Sequence, residues 1–470
     1  VIKLVLSEVL EAMRAQVHGE PPTVSVGGVS TDSRCVKPGE LFFALRGARC
    51  DAHGFVPQAL ERGALAAVIA ADREQEVLAL CGPRAAAARL ILVDDPLAAL
   101  GRLAAYHRRQ CSADVIAVVG SNGKTTTKEM IAHVLSGRLR GRCAPKSFNN
   151  AVGVPLTLLS AEGSDDFLVV EIGTNAPGEV AALAALAKPD MAVITCIGEE
   201  HLEGLGDVAG VAAEECSVLR HVRAGGFAAV TADSPYVAAH LPAGGLTVVS
   251  FGEHERADLR VTDVRYQAPW LSFAINGRFP YRLHMPGVHN ACNAAAAIAV
   301  ARRLGLEHEE IAARLVAFVP PPMRGEVIRA GKVTLINDTY NANPHSALAA
   351  ISVLNDLAAG GRRIVVFGEM RELGAASADL HRMVARKLRG ERVDHVILVG
   401  RAGPLMYEAL RDGDLFSPSV EQCESVEACL ERLSVMLHEG DVVLLKASRA
   451  VGLDRLVEPL RERLAAAPAA

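Results

Sequence analysis
The chain has 470 residues, more than one ordinary core needs, and this length points to about three domains. Half of the residues are hydrophobic but only 4% are aromatic, which favours alanine-rich helices packed on sheets over an aromatic binding surface. The net charge is −5 and no basic run could track a phosphate backbone, which argues against a nucleic-acid partner.

In chain order, the first 110 or so residues mix short apolar runs with turn signals. Pro38-Gly39 separates an expected loop at 30–37 from an expected strand at 41–45. "DVIAVVG" from Asp114 reads as a buried strand. "KTTTKEMIAHVL" after it reads as a helix, with Met130, Ile131, Val134 and Leu135 at helical spacing. The apolar runs at 166–173, 190–198 and 227–233 alternate with helical stretches, the pattern of a parallel sheet with crossover helices. Alternating patterns at 247–286 suggest an antiparallel extension. After "AFVPPPMRGE" a second α/β series begins: "KVTLIND", "RRIVVFGEM", "DHVILVGRAG" and "GDVVLLKAS". The fold class expected is therefore α/β in three domains, 1–111, 112–321 and 322–470: a small α/β domain, a central phosphate-loop domain with a mostly parallel sheet, and a Rossmann-like C-terminal domain.

"VVGSNGKTTTKEM" carries the first chemistry. The usual nucleotide loop would place its first glycine at 118, where this chain has Val118. Even so, a strand ending at Val119, the segment Gly120-Ser121-Asn122-Gly123 and a helix opening at Lys124 would aim backbone N–H groups and a helix dipole at one place, which suits phosphate. Lys124 adds a point charge, and Thr125, followed by Thr126, offers a hydroxyl suited to Mg2+. Glu171 and His201 each lie at or just past a strand end, on the side where open α/β sheets bind ligands. Both could complete a metal shell, although Mg2+ prefers oxygen ligands.

The segments "GSNGKTTTKEM", "SFNNAVGVPLTLL", "EIGTNAPGEV", "EEHLEGLGDVAGVA", "MPGVHNACNAAAA", "NDTYNANPHSA", "FGEMRELG" and "LLKASR" occur here in one order, and in that order they resemble the Mur ligases. The likeness extends to "STDSRCVKPGELFFALRGARCDAHGF" and so covers essentially the whole chain. It implies the shorter Gly-x-x-Gly-Lys-Thr loop and ATP-driven amide formation. A γ-phosphoryl group passes to a substrate carboxylate, an amine attacks the acyl phosphate, and phosphate leaves. TYNANP and GEMRELG imply UDP-MurNAc-tripeptide and D-Ala-D-Ala as the substrates. The resemblance further implies that Lys124 and Thr125 hold phosphates and Mg2+, that Glu171 and His201 attend the metals, that Asn290 and Asn293 lie by the adenine, and that Arg324 and Asp338 reach the nucleotide across a cleft. The two asparagines could instead cap a helix, Arg324 could be a solvated cation, and Asp338 could merely end a strand.

In these ligases a lysine is typically carbamylated at the position that is Glu215 in this chain. The expectation is that the Glu215 carboxylate replaces the carbamate, with Glu214 as the fallback and a solvent-facing pair as the plain alternative. Thr31, Asp32, Ser33, Arg34, Arg46 and Gly47 are expected at uridine or diphosphate. Asn149, Asn150, Tyr340, Asn341 and Asn343 are expected along the peptide-joining region, with Lys446 and Arg449 more loosely in substrate recognition. Rival readings are another amide ligase of the family, either the third-residue-adding enzyme or a folylpolyglutamate synthase, and a non-catalytic phosphate-loop switch or scaffold. Val1-Ile2-Lys3 opens no charged-then-apolar leader, and no apolar stretch approaches the roughly 20 residues that span a bilayer. A soluble, cytoplasmic monomer without stable membrane insertion is expected. Ten cysteines, with no CxxC pair, are expected to be reduced and mostly buried.

Overall fold
The computed structural model describes residues 4–18, 25–47, 50–357, 360–411 and 418–466. Val1-Ile2-Lys3, on which the leader expectation rests, lies outside them. Among the described residues no helix is long and apolar enough to cross a membrane.

Three larger sheets follow one another along the chain. The first runs Gln16–His18, Leu90–Val93, Ala66–Ala70, Glu40–Phe43, Gly28–Ser30, and is parallel except for Gln16–His18. The expected strand at 41–45 is thus Glu40–Phe43. The second has nine strands, and its centre places Met191–Ile194, Asp114–Val119 and Phe167–Glu171 side by side and parallel. All three strands are buried along both faces, as continuous apolar runs require when helices cover both sides. Helix Lys124–Leu135 buries Met130, Ile131, Val134 and Leu135, the residues its periodicity marked.

The expected antiparallel extension needs correction. Thr247–Gly252 pairs parallel with Phe227–Thr231 and with Leu259 and Arg260, and only Leu259–Gln267, Trp270–Ile275 and Phe279–Leu283 run antiparallel. Alternation reports a half-exposed strand and carries no information on direction. The connection from 232 to 246 is long enough to bring the chain back in parallel.

The third sheet is ordered Glu326–Ala330, Val333–Asp338, Val442–Lys446, Arg363–Gly368, His395–Val399, Ser419–Cys423, with only the first pair antiparallel. Its four central strands are the four apolar runs read from sequence. The two edge strands, "EVIRA" and "SVEQC", escaped that reading because polar residues interrupt them.

Helix Pro96–Gln110 joins the first sheet to the second, and near its end Arg108 is buried. Its guanidinium lies 2.6 Å from Asp190 Oδ2 and donates to the carbonyls of Ala187 (2.9 Å) and Lys188 (3.1 Å). Asp190 also accepts from the Val115 N–H at 2.8 Å and pairs with Arg223 at 2.9 Å. Only Cys81, Cys216 and Cys429 are buried, so the expectation of mostly buried cysteines fails; Cys35 and Cys50 are exposed and the other five half-buried.

Candidate active site
Gly120 and Gly123 have φ of +122° and +80°, backbone that favours glycine. An added Cβ would come 2.3 Å from Thr195 Oγ1 at Gly120 and 2.3 Å from Asn293 Oδ1 at Gly123. The loop is thus clamped between the end of strand Met191–Ile194 and helix His289–Arg303. Its own amides are largely occupied. Gly120 N–H donates to Glu215 Oε2 (2.9 Å), Ser121 N–H to the Cys196 carbonyl (2.8 Å) and Asn122 N–H to Cys196 Sγ (3.2 Å). The expected ring of loop amides facing phosphate therefore shifts to the first helical turn. The first intrahelical bond there runs from Thr127 to Gly123, which leaves the Lys124, Thr125 and Thr126 amides without carbonyl partners inside the helix.

Lys124 Nζ donates to the Gly120 carbonyl and lies 3.3 Å from Glu200 Oε1. Burial works to lower its pKa, but Glu200, Glu215 and Glu171 outweigh it and hold the ammonium above its ordinary value. Burial lifts the Glu215 carboxyl to about 7, against the pull of Lys124. The two neighbouring glutamates face different partners. Glu214 accepts from Gly178 N–H, Val180 N–H (2.7 Å each) and Thr174 Oγ1 (3.2 Å), capping helix Glu179–Ala187, whereas Glu215 faces the loop.

Around Glu171, Thr125 Oγ1 donates at 3.0 Å and Asn149 Nδ2 at 3.0 Å, while Ser147 Oγ is 3.2 Å from Thr125 Oγ1. Lys128, fully buried, donates to the Ala144 carbonyl at 2.6 Å and sits 3.7 Å from Glu171 Oε2. From the third sheet's side, Arg324 Nη2 donates to Thr125 Oγ1 at 2.8 Å with its guanidinium 3.9 Å over the Tyr340 ring, and Asn343 Nδ2 donates to Asn122 Oδ1 at 3.0 Å. Two units of the chain thus meet at the loop.

Four residues are expected at the metals from sequence: Thr125, Glu171, His201 and Glu215. Among the described residues, no group of three or more His, Cys, Asp or Glu side chains converges as metal ligands would. Thr125 and Glu171 form an all-oxygen pair that fits Mg2+. His201 has its two ring nitrogens 3.0 Å from Glu200 Oε1 and 2.6 Å from Glu372 Oε2. Burial works to lower its pKa, yet the two carboxylates raise it to about 9. Because the pKa rises on folding, the stability this pairing adds is complete below pH 6.5 and lost as pH climbs through about 9. The thermal midpoint of the parent should therefore fall across that window, and that of His201→Gln should fall less. Parallel curves from pH 6 to 9.5 would sink this account.

Other expected residues fall in several places. Asn290 and Asn293 bond to each other (2.9 Å), and Asn293 accepts from Thr127 Oγ1 (3.3 Å) beside the loop. Asp338 accepts from Gly325 N–H (3.1 Å) and from Lys446 Nζ (2.6 Å), and Lys446 also donates to the Asn341 carbonyl (2.8 Å). The buried Lys446 thus braces the 338–341 turn. Arg449 is tied to Asp454 at 3.1 Å, and Asn150 caps helix Gly153–Leu159 through Gly153 N–H (2.9 Å). In the first unit, Asp32 grips Arg34 (2.8 Å), whose hydrogen bonds hold its carboxyl at about 2; Ser33 Oγ donates to Gln58 (2.7 Å). Arg46 pairs with Asp51 (3.3 Å), and Gly47 N–H donates to Cys50 O (2.8 Å). Thr31 precedes this cluster, half-buried. Lys128, Ser147, Glu200 and Glu372 were missed. Glu200 stands next to His201 and Lys128 four residues after Lys124, so adjacency was the available signal.

Family models match almost all of this architecture: the catalytic domain of the Mur ligase family at residues 25–108, the Mur ligase middle domain at 118–301, and the glutamate ligase domain at 323–449. The chain belongs to the Mur ligase family. It is 35% identical to the UDP-N-acetylmuramoyl-tripeptide–D-alanyl-D-alanine ligase of Bacillus subtilis over 93% of each chain. It is 32% identical to the Escherichia coli enzyme of that name, over 98% of this chain and 99% of the relative. Among solved structures, MurF from Acinetobacter baumannii superposes with a TM-score of 0.87 at 29% identity, covering 98% of this chain and 99% of that one. MurF from Thermotoga maritima in complex with ADP superposes at 0.78 with 27% identity, over 93% and 98%. This Mur ligase is α/β throughout, with mostly parallel sheets like those neighbours.

Proposed function
We propose that this Mur ligase joins D-alanyl-D-alanine to UDP-N-acetylmuramoyl-tripeptide in peptidoglycan precursor synthesis, with ATP converted to ADP and phosphate. The observation that carries the reading is the junction at Thr125, where the phosphate-loop helix, Glu171 and Arg324 of the third unit share one hydroxyl. Likeness to ligases of this specificity along nearly the whole chain supplies the substrates. In this reading residues 1–111 hold the UDP-sugar end through the Asp32 and Arg46 clusters, 112–321 hold ATP, and 322–470 close over it. The chain works in the cytoplasm as a monomer.

Lys124 and the first-turn amides bind the phosphates, and Arg324, braced on Tyr340, neutralises charge that develops there. Mg2+, held by Thr125 and Glu171 with Glu215 facing the same loop, would supply charge stabilisation at the transferred phosphoryl group. The chain contributes positioning and electrostatics and makes no covalent bond itself. The tripeptide carboxylate gains the phosphoryl group, the dipeptide amine then displaces phosphate from the acyl carbon, and the amine proton leaves.

The test is phosphate release from ATP and Mg2+ with UDP-MurNAc-tripeptide, with and without D-Ala-D-Ala, with the product weighed by mass spectrometry. Release that requires both substrates and yields the pentapeptide mass is expected. Release without acceptor, or none with any acceptor despite ATP binding, would move the chain to a switch. In the same assay Glu215→Gln should raise the Mg2+ requirement about tenfold, the usual scale for a lost partner of a metal site. An unchanged requirement would remove Glu215 from the metal's surroundings.

A further inference from the structure
Lys128 follows Lys124 by one turn of helix Lys124–Leu135, and none of it is exposed. A buried ammonium needs partners for its three donors. Nζ donates to the Ala144 carbonyl at 2.6 Å and to the Lys146 carbonyl, and it lies 3.0 Å from Glu129 Oε1. Two of these three partners belong to one turn, 144–149, which the phosphate-loop helix thus holds from inside the protein. Lys146 in that turn has φ of +51°, left-handed backbone that is disfavoured for a lysine, and its carbonyl is one of the two that Nζ grips.

The turn carries two side chains to the loop hydroxyl and the carboxylate beside it. Ser147 Oγ lies 3.2 Å from Thr125 Oγ1, and Asn149 Nδ2 donates to Glu171 Oε1 at 3.0 Å. Asn149 is fixed a second time, since its carbonyl accepts from Gly173 N–H at 2.8 Å. At the start of the turn the Ala144 N–H donates to the Val169 carbonyl at 2.9 Å. A Cβ on Gly153 would fall 2.6 Å from Phe148 Cα, so helix Gly153–Leu159 packs directly against the turn. Lys128 Nζ is also 3.7 Å from Glu171 Oε2, the oxygen that accepts from Thr125. One ammonium therefore sets the field at Glu171 and fixes the turn whose Asn149 orients it.

We infer that Lys128 is a positioning residue for phosphoryl transfer: through the 144–149 turn it sets where Ser147 and Asn149 meet Thr125 and Glu171. Buried behind the loop, it acts only through these side chains. Without its ammonium the Ala144 and Lys146 carbonyls lose their donor, the turn slackens, and Glu171 Oε1 loses its fixed partner. Lys124 and the first-turn amides keep their own places, so the loss falls on turnover and not on nucleotide binding. This rests on the ligase reading above for the reaction that Thr125 and Glu171 serve.

The test compares the full-length parent with Lys128→Gln, which keeps a donor near the turn and removes the charge, and with Asn149→Ala, which leaves the lysine and removes the contact it supports. Each should lower kcat about tenfold, the scale for an outer partner of a metal ligand, with KM for ATP near the parent's. The double variant should be no slower than the slower single, because both act on one contact. In the nucleotide-free protein, hydrogen exchange read by mass spectrometry should be faster at 144–149 in Lys128→Gln than in the parent, and unchanged at 124–135. A Lys128→Gln kcat equal to the parent's, a rise in KM for ATP that matches the fall in kcat, or losses that multiply in the double variant overturn the proposal. Parental kcat in Asn149→Ala overturns it too, whether or not Lys128→Gln folds. Should the parent form no amide at all, the ligase reading fails on its own, and exchange still decides the role of Lys128: equal rates at 144–149 refute it.

Discussion

Lys124→Met is expected to lower kcat/KM by about 10²–10³-fold, the usual cost of removing one preorganised electrostatic contact to a transferring group. The ammonium faces Glu200 at 3.3 Å, with Glu215 and Glu171 adding to the field that keeps it charged. Without it the loop loses the cation a triphosphate would meet first, so nucleotide binding should weaken as well as turnover. Lys124→Arg should not rescue. Nζ donates to the Gly120 carbonyl within its own loop, a point contact that a planar, wider guanidinium cannot reproduce there. Steady-state phosphate release and calorimetric titration with ATP separate the two effects. More than a tenth of parental kcat/KM in Lys124→Met would refute the assignment.

The largest expected effect on stability lies away from the loop, at Asp190. Asp190→Ala leaves the buried Arg108 guanidinium with carbonyl partners only and orphans the Val115 N–H. Breaking a buried ion pair from one side costs about 3–5 kcal/mol, since the remaining charge stays desolvated. Arg108→Met should cost less, because Asp190 keeps Arg223 at 2.9 Å. In a double-mutant cycle the two losses should fall well short of adding. Urea unfolding of the single and double variants measures this, and strictly additive losses would show that the two charges do not depend on each other. Since Arg108 ends the helix leading out of the first sheet, the first unit should loosen first in Asp190→Ala.

Periodicity made the central elements legible. Helix Lys124–Leu135 and the strands beside it carry their apolar residues where burial demands them. The loop was legible as a candidate phosphate site because two glycines, a lysine and a threonine between a strand and a helix gather charge, hydroxyl and a helix N-terminus at one point, which a plain connecting turn does not need. What sequence could not show was how the loop's amides are spent, since Cys196 and Glu215 reach them from distant elements. The same holds for His201, since nothing in the sequence shows that Glu372, 171 positions on, faces it. Lys446 looked like a recognition residue at a strand end, yet the neighbouring strand presents Asp338 to it in register. Such pairings arise from sheet order, which apolar patterns do not encode.

The nine-stranded sheet is finished at both ends in ways that refuse a tenth strand. At one end Gly141–Cys143 is three residues long, too short to template a neighbour. At the other, Phe279–Leu283 carries Pro280, which has no N–H to offer, and Phe279 stacks on His308 at 3.7 Å, laying helix His308–Val316 against the edge. Both edges of this large sheet are thereby closed to edge-to-edge association with another copy. Raising the concentration of the protein should therefore not drive it to polymerise through this sheet.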